Sequence, residues 1–291
     1  MNKLHSATVC LLSLLASGYA APLLAVELQP GTYTPQPAGT RILDLTYAHL
    51  ERDALYSKGK KVPMDPLLIL DVVQVRGRYH LPMDSTALSV SFSVYCGNNR
   101  GARALTSWGS QSGCSDLLLG ATYWPLHDLK KGQFLGLTPY VSLPTGEYEP
   151  SRPYNFGENR YSFGLNTGYV IHFSPRLSNE LLGDIQLFGD NDNYLGHTLK
   201  QQPLLTLQNH LRYQLTPTGK LFISYLHDWA SATSVNGKDQ HNGRNNGRYR
   251  IGYQQMLSKD FQLQLSWGAD LQVENGFRES ERLLLRGVWL F

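Results

Sequence analysis

The strongest constraint on this chain is a strict alternation of oily and polar residues, carried over unusually long segments. Across residues 160–173 (RYSFGLNTGYVIHF), Tyr161, Phe163, Leu165, Thr167, Tyr169, Ile171 and Phe173 fall on one side, opposite Arg160, Ser162, Gly164, Asn166 and Gly168. Residues 261–274 repeat the pattern. Phe261, Leu263, Leu265, Trp267, Ala269, Leu271 and Val273 oppose Gln262, Gln264, Ser266, Gly268, Asp270, Gln272 and Glu274. Successive side chains of a strand point to opposite faces, so a period of two gives one apolar and one wet face. These runs are far longer than the roughly 5 or 6 residues of a typical soluble strand. They cover the roughly 9 to 11 residues that a tilted strand needs to cross a bilayer. Aromatic residues such as Tyr161 and Phe173 stand at the ends, where interfacial girdles belong.

Composition removes the competing classes. No apolar run of about 20 residues occurs, so bundled membrane helices are excluded. Charged residues make up 17% of the chain, below the roughly 25% of an average soluble protein. With 17 Tyr, 10 Phe and 5 Trp the chain is too aromatic for disorder, and no repeat period supports a solenoid. The net charge of +3 is small. The densest basic patch, Arg244, Arg248 and Arg250, is broken by Asn and Gly, which excludes a nucleic-acid surface.

The alternation predicts twelve strands, at 40–50, 67–80, 85–95, 115–124, 132–143, 159–173, 178–189, 202–215, 219–230, 248–257, 260–273 and 281–291. Their connections alternate in size. Pro82-Met83-Asp84, 127–131, 174–177, Thr216-Pro217-Thr218 and Ser258-Lys259 are short; 51–66, 96–114, 144–158, 190–201, 231–247 and 274–280 are mostly longer and polar. Even strand number, short periplasmic turns and long external loops define an antiparallel transmembrane β-barrel of the bacterial outer membrane. The final strand places Leu283, Leu285, Gly287, Trp289 and Phe291 on one face. An apolar edge of this kind is a hazard unless it closes on strand one. Trp289 and Phe291 also resemble the terminal signal read by barrel assembly machinery, which makes that machinery and outer-membrane lipid the expected partners.

Residues 1–25 read as a secretory signal: Asn2-Lys3, an apolar core from Thr8 to Ala16, then small residues. Cleavage is expected after Ala20 or Ala25, leaving residues 26–291 as one barrel domain. Cys10 belongs to that leader and has no lipobox before it. The two remaining cysteines, Cys96 and Cys114, flank a polar loop and are compatible with one disulfide or two free thiols.

If the apolar faces meet lipid, parity turns Arg76, Arg78, Arg160, Arg212, Arg248, Arg250, Arg282 and Arg286 toward the lumen. Asp44, Glu180, Asp184, Asp228 and Asp270 follow, with Gln208, His210, Gln254, Gln262 and Gln264. Such charges should pair, because an ion held away from bulk water is costly; a structural ion network and a solute path both fit. Tyr95, Trp124, Phe134, Tyr140 and Phe188 are the luminal aromatics, suited to stacking on a flat solute. A barrel of eight strands can be filled by its own side chains. Twelve predict open volume unless a loop folds in.

No enzyme is predicted. His172 and Ser174 loosely resemble the His-x-Ser core of an outer-membrane phospholipase, but the residues that follow differ and the pair lies beside a periplasmic turn. His227 and Asp228 are adjacent on a strand and face opposite ways. Asp190, Asp192 and Asn193 are best read as a solvated loop; no cofactor or metal is expected.

Several stretches carry a family resemblance: LQPGTYTPQPAGT (28–40), LLGATYWP (118–125), GQFLGLTPYVSLPTGEY (132–147) and PYNFGENRY (153–161). Together they resemble a family of outer-membrane barrels named for the meta-pathway of phenol degradation. Pro144, Gly146, Gly157, Glu158, Asn159 and Arg160 match its central motif, with Phe156 in place of the more usual leucine. The resemblance implies a transporter or channel and no defined binding residues. The motif residues read as architectural, with Arg160 tying the loop to a luminal acid. The expected function is therefore passive passage of small, aromatic or hydrophobic solutes. A structural or adhesive barrel is the alternative, and a lipid-active hydrolase a distant third.

Overall fold

A computed structural model describes residues 27–82, 87–106, 109–152 and 154–291. The expected signal segment lies outside the described residues, as do Met83 and Asp84 of one expected turn.

Twelve strands form the wall: β1 (Arg41–Ser57), β2 (Pro66–His80), β3 (Ala87–Arg103), β4 (Leu117–Asp128), β5 (Gln133–Leu143), β6 (Ser162–His172), β7 (Leu177–Phe188), β8 (Leu204–Gln214), β9 (Gly219–Ala230), β10 (Arg244–Met256), β11 (Phe261–Gln272) and β12 (Gly276–Leu290). Each pairs antiparallel with the next, and β12 returns to β1 from Ile42↔Leu290 to Tyr56↔Gly276. The sheet is thus a closed barrel. The chain end completes the seam: Phe291 N donates to Arg41 O (2.9 Å), and Arg41 N donates to Phe291 O (3.1 Å).

The outer face is apolar by the predicted parity. Leu43, Leu45, Phe163, Leu165, Leu181, Ile185, Leu265 and Trp267 are all exposed. A continuous belt of this kind would drive aggregation in water; in an outer membrane it is the lipid contact.

On the long-loop side four strands run further than hydropathy predicts, and at the short-turn end β4 runs on to Asp128. β1 reaches Ser57, β3 reaches Arg103, β10 starts at Arg244 and β12 at Gly276. Past the lipid band both faces of a strand carry polar residues, so alternation fades while the ladder continues. Glu51, Arg52 and Asp53 on β1 show this, with Asp53 paired to Arg278 of β12 at 2.7 Å. The long loops add small strands. Ser110–Cys114 pairs with β3, and Asn191–Tyr194, His197–Lys200, Ser234–Val235 and Lys238–Asp239 build a separate four-stranded sheet.

Candidate functional site

The inward faces form a buried ionic wall. Arg76, Arg212, Arg250, Arg282, Arg286, Asp44, Glu180, Asp184 and Asp228 are all buried, as are Gln208, His210, Gln254 and Gln264. The luminal aromatics Tyr95, Trp124, Phe134 and Tyr140 are buried among them. Arg212 pairs with Glu180 at 2.7 Å, Arg286 with Asp44 at 2.7 Å and Arg248 with Asp228 at 3.0 Å. Asp270 lies 3.7 Å from Arg248. Two further members come from the strand extensions: Arg52 meets Glu279 at 3.1 Å, and Glu279 meets Arg282 at 2.8 Å. Sequence reasoning missed both because it ended β1 at 50 and began β12 at 281. The spacing of two from Leu50 to Arg52 would have carried the pattern on.

The lumen is not empty, because the segment before β1 runs back into it from the periplasmic rim. Its carbonyls and side chains contact nine of the twelve strands. Tyr33 donates its hydroxyl to Asn166 Oδ1 (2.8 Å), and Trp124 Nε1 donates to Tyr33 O (3.0 Å). Arg78 donates to Thr32 O (3.0 Å), and Gln254 to Pro30 O (3.0 Å). Gly31 N donates to both oxygens of Glu180 (2.9 and 2.8 Å). Leu28 N donates to Gln208 Oε1 (3.1 Å), and Gln264 Nε2 to Gln29 Oε1 (2.9 Å). Deepest of all, Glu27 meets Arg250 at 2.9 Å, lies 3.9 Å from Arg248 and is bonded to Arg282.

Two details show that the wall is shaped for this segment. Gly136 and Gly168 face each other across β5 and β6. A Cβ on either would stand 2.3 or 2.2 Å from the Tyr33 ring, so the paired glycines form the slot that admits it. Charge tells the same story. Arg52, Arg248, Arg250 and Arg282 face Asp228, Asp270 and Glu279, four cations against three acids; Glu27 is the fourth acid.

A second closure descends from the extracellular side. Tyr154 and Phe156, in the 144–161 loop, pack on Ala48, Leu50, Leu70, Val72, Tyr95 and Leu284, a luminal stripe that is apolar where parity alone predicts polar residues. The family-motif residues hold this lid. Gly146 N and Glu158 N both donate to the carboxylate of Asp116 (2.8 and 2.9 Å). Gly157 lies against Gly146 so closely that a Cβ would stand 2.7 Å from its carbonyl carbon. Asn159 takes a left-handed φ of 54° and donates to Asn191 Oδ1 (3.1 Å). Pro144 directly follows the last residue of β5, at the exposed rim. Arg160 does not reach a luminal acid: it pairs with Glu158 at 2.9 Å, donates to Gln201 and lies over the Phe188 ring. A two-residue step folds Glu158 back within its reach, which no wall carboxylate matches. Burial pushes the Asp116 carboxyl up to about 6, against the two amide bonds that favour its charge. Cys96 and Cys114 are disulfide-bonded between β3 and its short partner strand, and Glu147 N donates to Cys114 O (2.9 Å).

The chemically suggestive pairs have other partners. His172 Nδ1 bonds Gly132 O (2.8 Å), while Ser174 Oγ accepts from Leu177 N (3.1 Å) and closes a turn. His227 bonds Tyr225 and Asn245 on the outer face, away from luminal Asp228. Asp190 pairs with Lys200 at 2.7 Å. Among the described residues no group of three or more His, Cys, Asp or Glu is arranged to hold a metal.

Residues 70–286 match the family described as "Putative MetA-pathway of phenol degradation". The chain belongs to this family. An outer membrane channel from Pseudomonas putida F1, known from its crystal structure, is 30% identical to this family member. The alignment covers 91% of this chain and all of that one, with a TM-score of 0.87. The KdgM porin aligns at 10% identity over 84% of this chain and 98% of its own, with a TM-score of 0.46. The Pseudomonas putida toluene transporter TodX aligns at 11% over 94% and 95%, with a TM-score of 0.45. No curated protein sequence matches the chain. This family member is a bacterial outer-membrane barrel with a channel or transporter role.

Proposed function

We propose that the chain is a gated passive channel for small aromatic or otherwise part-apolar solutes. The observation that carries this reading is the apolar luminal stripe of Leu50, Leu70, Val72 and Leu284, which Tyr154 and Phe156 cover from outside. A lumen meant only for ions or sugars gains nothing from such a surface. A solute with a ring can replace the two lid aromatics on it at little cost, since one apolar contact exchanges for another. Tyr33 and Trp124 offer further rings below. Passage then requires the lid to lift and the N-terminal segment to shift, and the solute's own gradient is enough to drive net flow. With a leader removed after Ala25, Glu27 would be the second residue of the exported chain, free to enter the lumen from the periplasm.

The test is uptake of radiolabelled phenol into proteoliposomes, compared with glucose, for the full chain and for a chain lacking residues 27–33. The channel reading requires faster phenol entry than in empty vesicles and a further rise on deletion. One observation favours a second reading, a static structural or adhesive barrel: the lumen is closed from both ends while the long loops build a folded outer sheet. Phenol entry equal to empty vesicles in both chains, with no conductance in planar bilayers, would establish that alternative.

A further inference from the structure

Most of the inward-facing arginines and carboxylates named above are paired, and the three that are not gather in one place. Arg212 has Glu180, Arg286 has Asp44, and the Arg52, Arg248, Arg250 and Arg282 cluster has its four acids. Arg76, Arg78 and Asp184 remain, and all three line the cavity of about 50 Å³ left beside Tyr33. Arg76 is only 7% exposed. Among the described residues its guanidinium has neither a hydrogen-bond nor an ion-pair partner. Asp44, its neighbour across the ladder, is taken by Arg286. Arg78 makes one bond, to a neutral carbonyl of the N-terminal segment. Asp184, by contrast, already accepts from Tyr140 (3.1 Å) and Asn166 (3.3 Å).

A buried guanidinium without a counter-charge is costly, and proteins keep such groups where a ligand supplies the missing anion. We infer that Arg76 and Arg78 form an anion subsite in the conduction path, and that the solute class is a monoanionic aromatic carboxylate. This deepens the channel reading and rests on it. The size admits a head group: roughly 10–15 Å³ of cavity volume on this measure holds one water, so the space takes a carboxylate. The inward face of β2 supplies the rest of the path in order, as Leu70, Val72, Gln74, Arg76 and Arg78. Val72 and Arg76 are four residues apart, about 13 Å along the strand. A ring entering beneath the lid meets the apolar stripe first and the arginines second. Guanidinium groups suit a planar carboxylate better than any other cation does. Asp184 at the same cavity disfavours a second negative charge on the solute.

The experiment is calorimetric titration of the detergent-purified full chain with benzoate, its neutral isostere benzamide, and the dianion phthalate, beside Arg76→Gln and Arg78→Gln. Saturable benzoate binding is expected, at least tenfold tighter than benzamide or phthalate, and weakened tenfold or more in each variant. Each variant's fold is checked by its heat-dependent gel shift; Arg76→Gln removes an uncompensated cation and should unfold no more easily than the native chain. Equal affinity of native and Arg76→Gln proteins for benzoate, or equal binding of benzamide, overturns the subsite. Failure of the channel reading looks different: benzoate would bind with the stated preference, yet neither phenol nor benzoate would cross proteoliposomes even after deletion of 27–33.

Discussion

Replacing Glu27 with Gln tests whether the N-terminal segment is held in the lumen by charge. The side chain keeps its size, and one oxygen still accepts a hydrogen bond, but the negative charge facing Arg248, Arg250 and Arg282 is lost. Removing one partner of a buried ion pair typically costs about 3–5 kcal/mol, because the other charge stays buried. In this barrel the penalty falls on the inserted state. Once the segment withdraws, water enters and the arginines are solvated, so the loss appears as a shift from inserted to withdrawn. At roughly 1.4 kcal/mol per tenfold, that shift is about two to three and a half decades. The bonds of Gly31 to Glu180 and the Tyr33 slot are untouched, so the variant should flicker rather than stay open. Single-channel recording in planar bilayers reads this as a rise in open probability of about a hundredfold or more. The reversal potential should also move toward anion preference, since one acid is gone from the cluster. An open probability within about threefold of native, in a variant with native heat-dependent gel mobility, would refute the ionic latch and leave the hydrogen bonds of residues 28–33 as the restraint.

Three other outcomes follow from the same geometry. Gly168→Ala puts a methyl group where the Tyr33 ring lies, an overpacking strain of about 1–3 kcal/mol; open probability should rise, and Tyr33→Ala in the same chain should cancel the strain. Because the folded Asp116 carboxyl sits at about 6, above its ordinary value near 3.9, its contribution to lid stability is complete below pH 4 and is lost as pH rises through 6. Hydrogen exchange of the Gly146 and Glu158 amides, corrected for intrinsic rates, should therefore quicken from pH 4 to 7, and Asp116→Asn should flatten that dependence. Replacing both Cys96 and Cys114 with Ala releases a constraint of about 2–4 kcal/mol on the unfolded loop; proteolysis between residues 100 and 113 should rise while the barrel keeps its gel mobility.

How much of this was legible in the sequence depends on whether each residue's environment repeats. The wall was legible, because lipid on one side and a wet lumen on the other impose the period of two on Tyr161 to Phe173 and Phe261 to Val273. Parity also placed Arg212, Glu180, Arg250 and Arg286 inward, since facing needs only a count. Reading stopped where environments ceased to alternate. Above the bilayer Glu51, Arg52 and Asp53 are polar on both faces, so Arg52 and Glu279 went unseen although the ladder continues through them. Along β2 the reverse occurs: Leu70 and Val72 are oily on the inner face as well, because the lid covers them.

The two closures escaped because neither has a period. Residues 27–34 touch nine strands one contact at a time, and only the assembled barrel brings Glu180, Gln264 and Arg250 to one depth. Their traces were present all the same, as mismatches rather than motifs. Gly136 and Gly168 on inward faces had no turn to make, the luminal arginines outnumbered the luminal acids, and Tyr154 and Phe156 were oily residues in a polar loop. Each mismatch marks a partner that arrives from outside its own strand: the glycines await Tyr33, the surplus cations await Glu27, and the two aromatics await the stripe on β1, β2 and β12. By the same logic, a mismatch that the described residues do not resolve, the unpaired guanidinium of Arg76, is where we infer that the solute belongs.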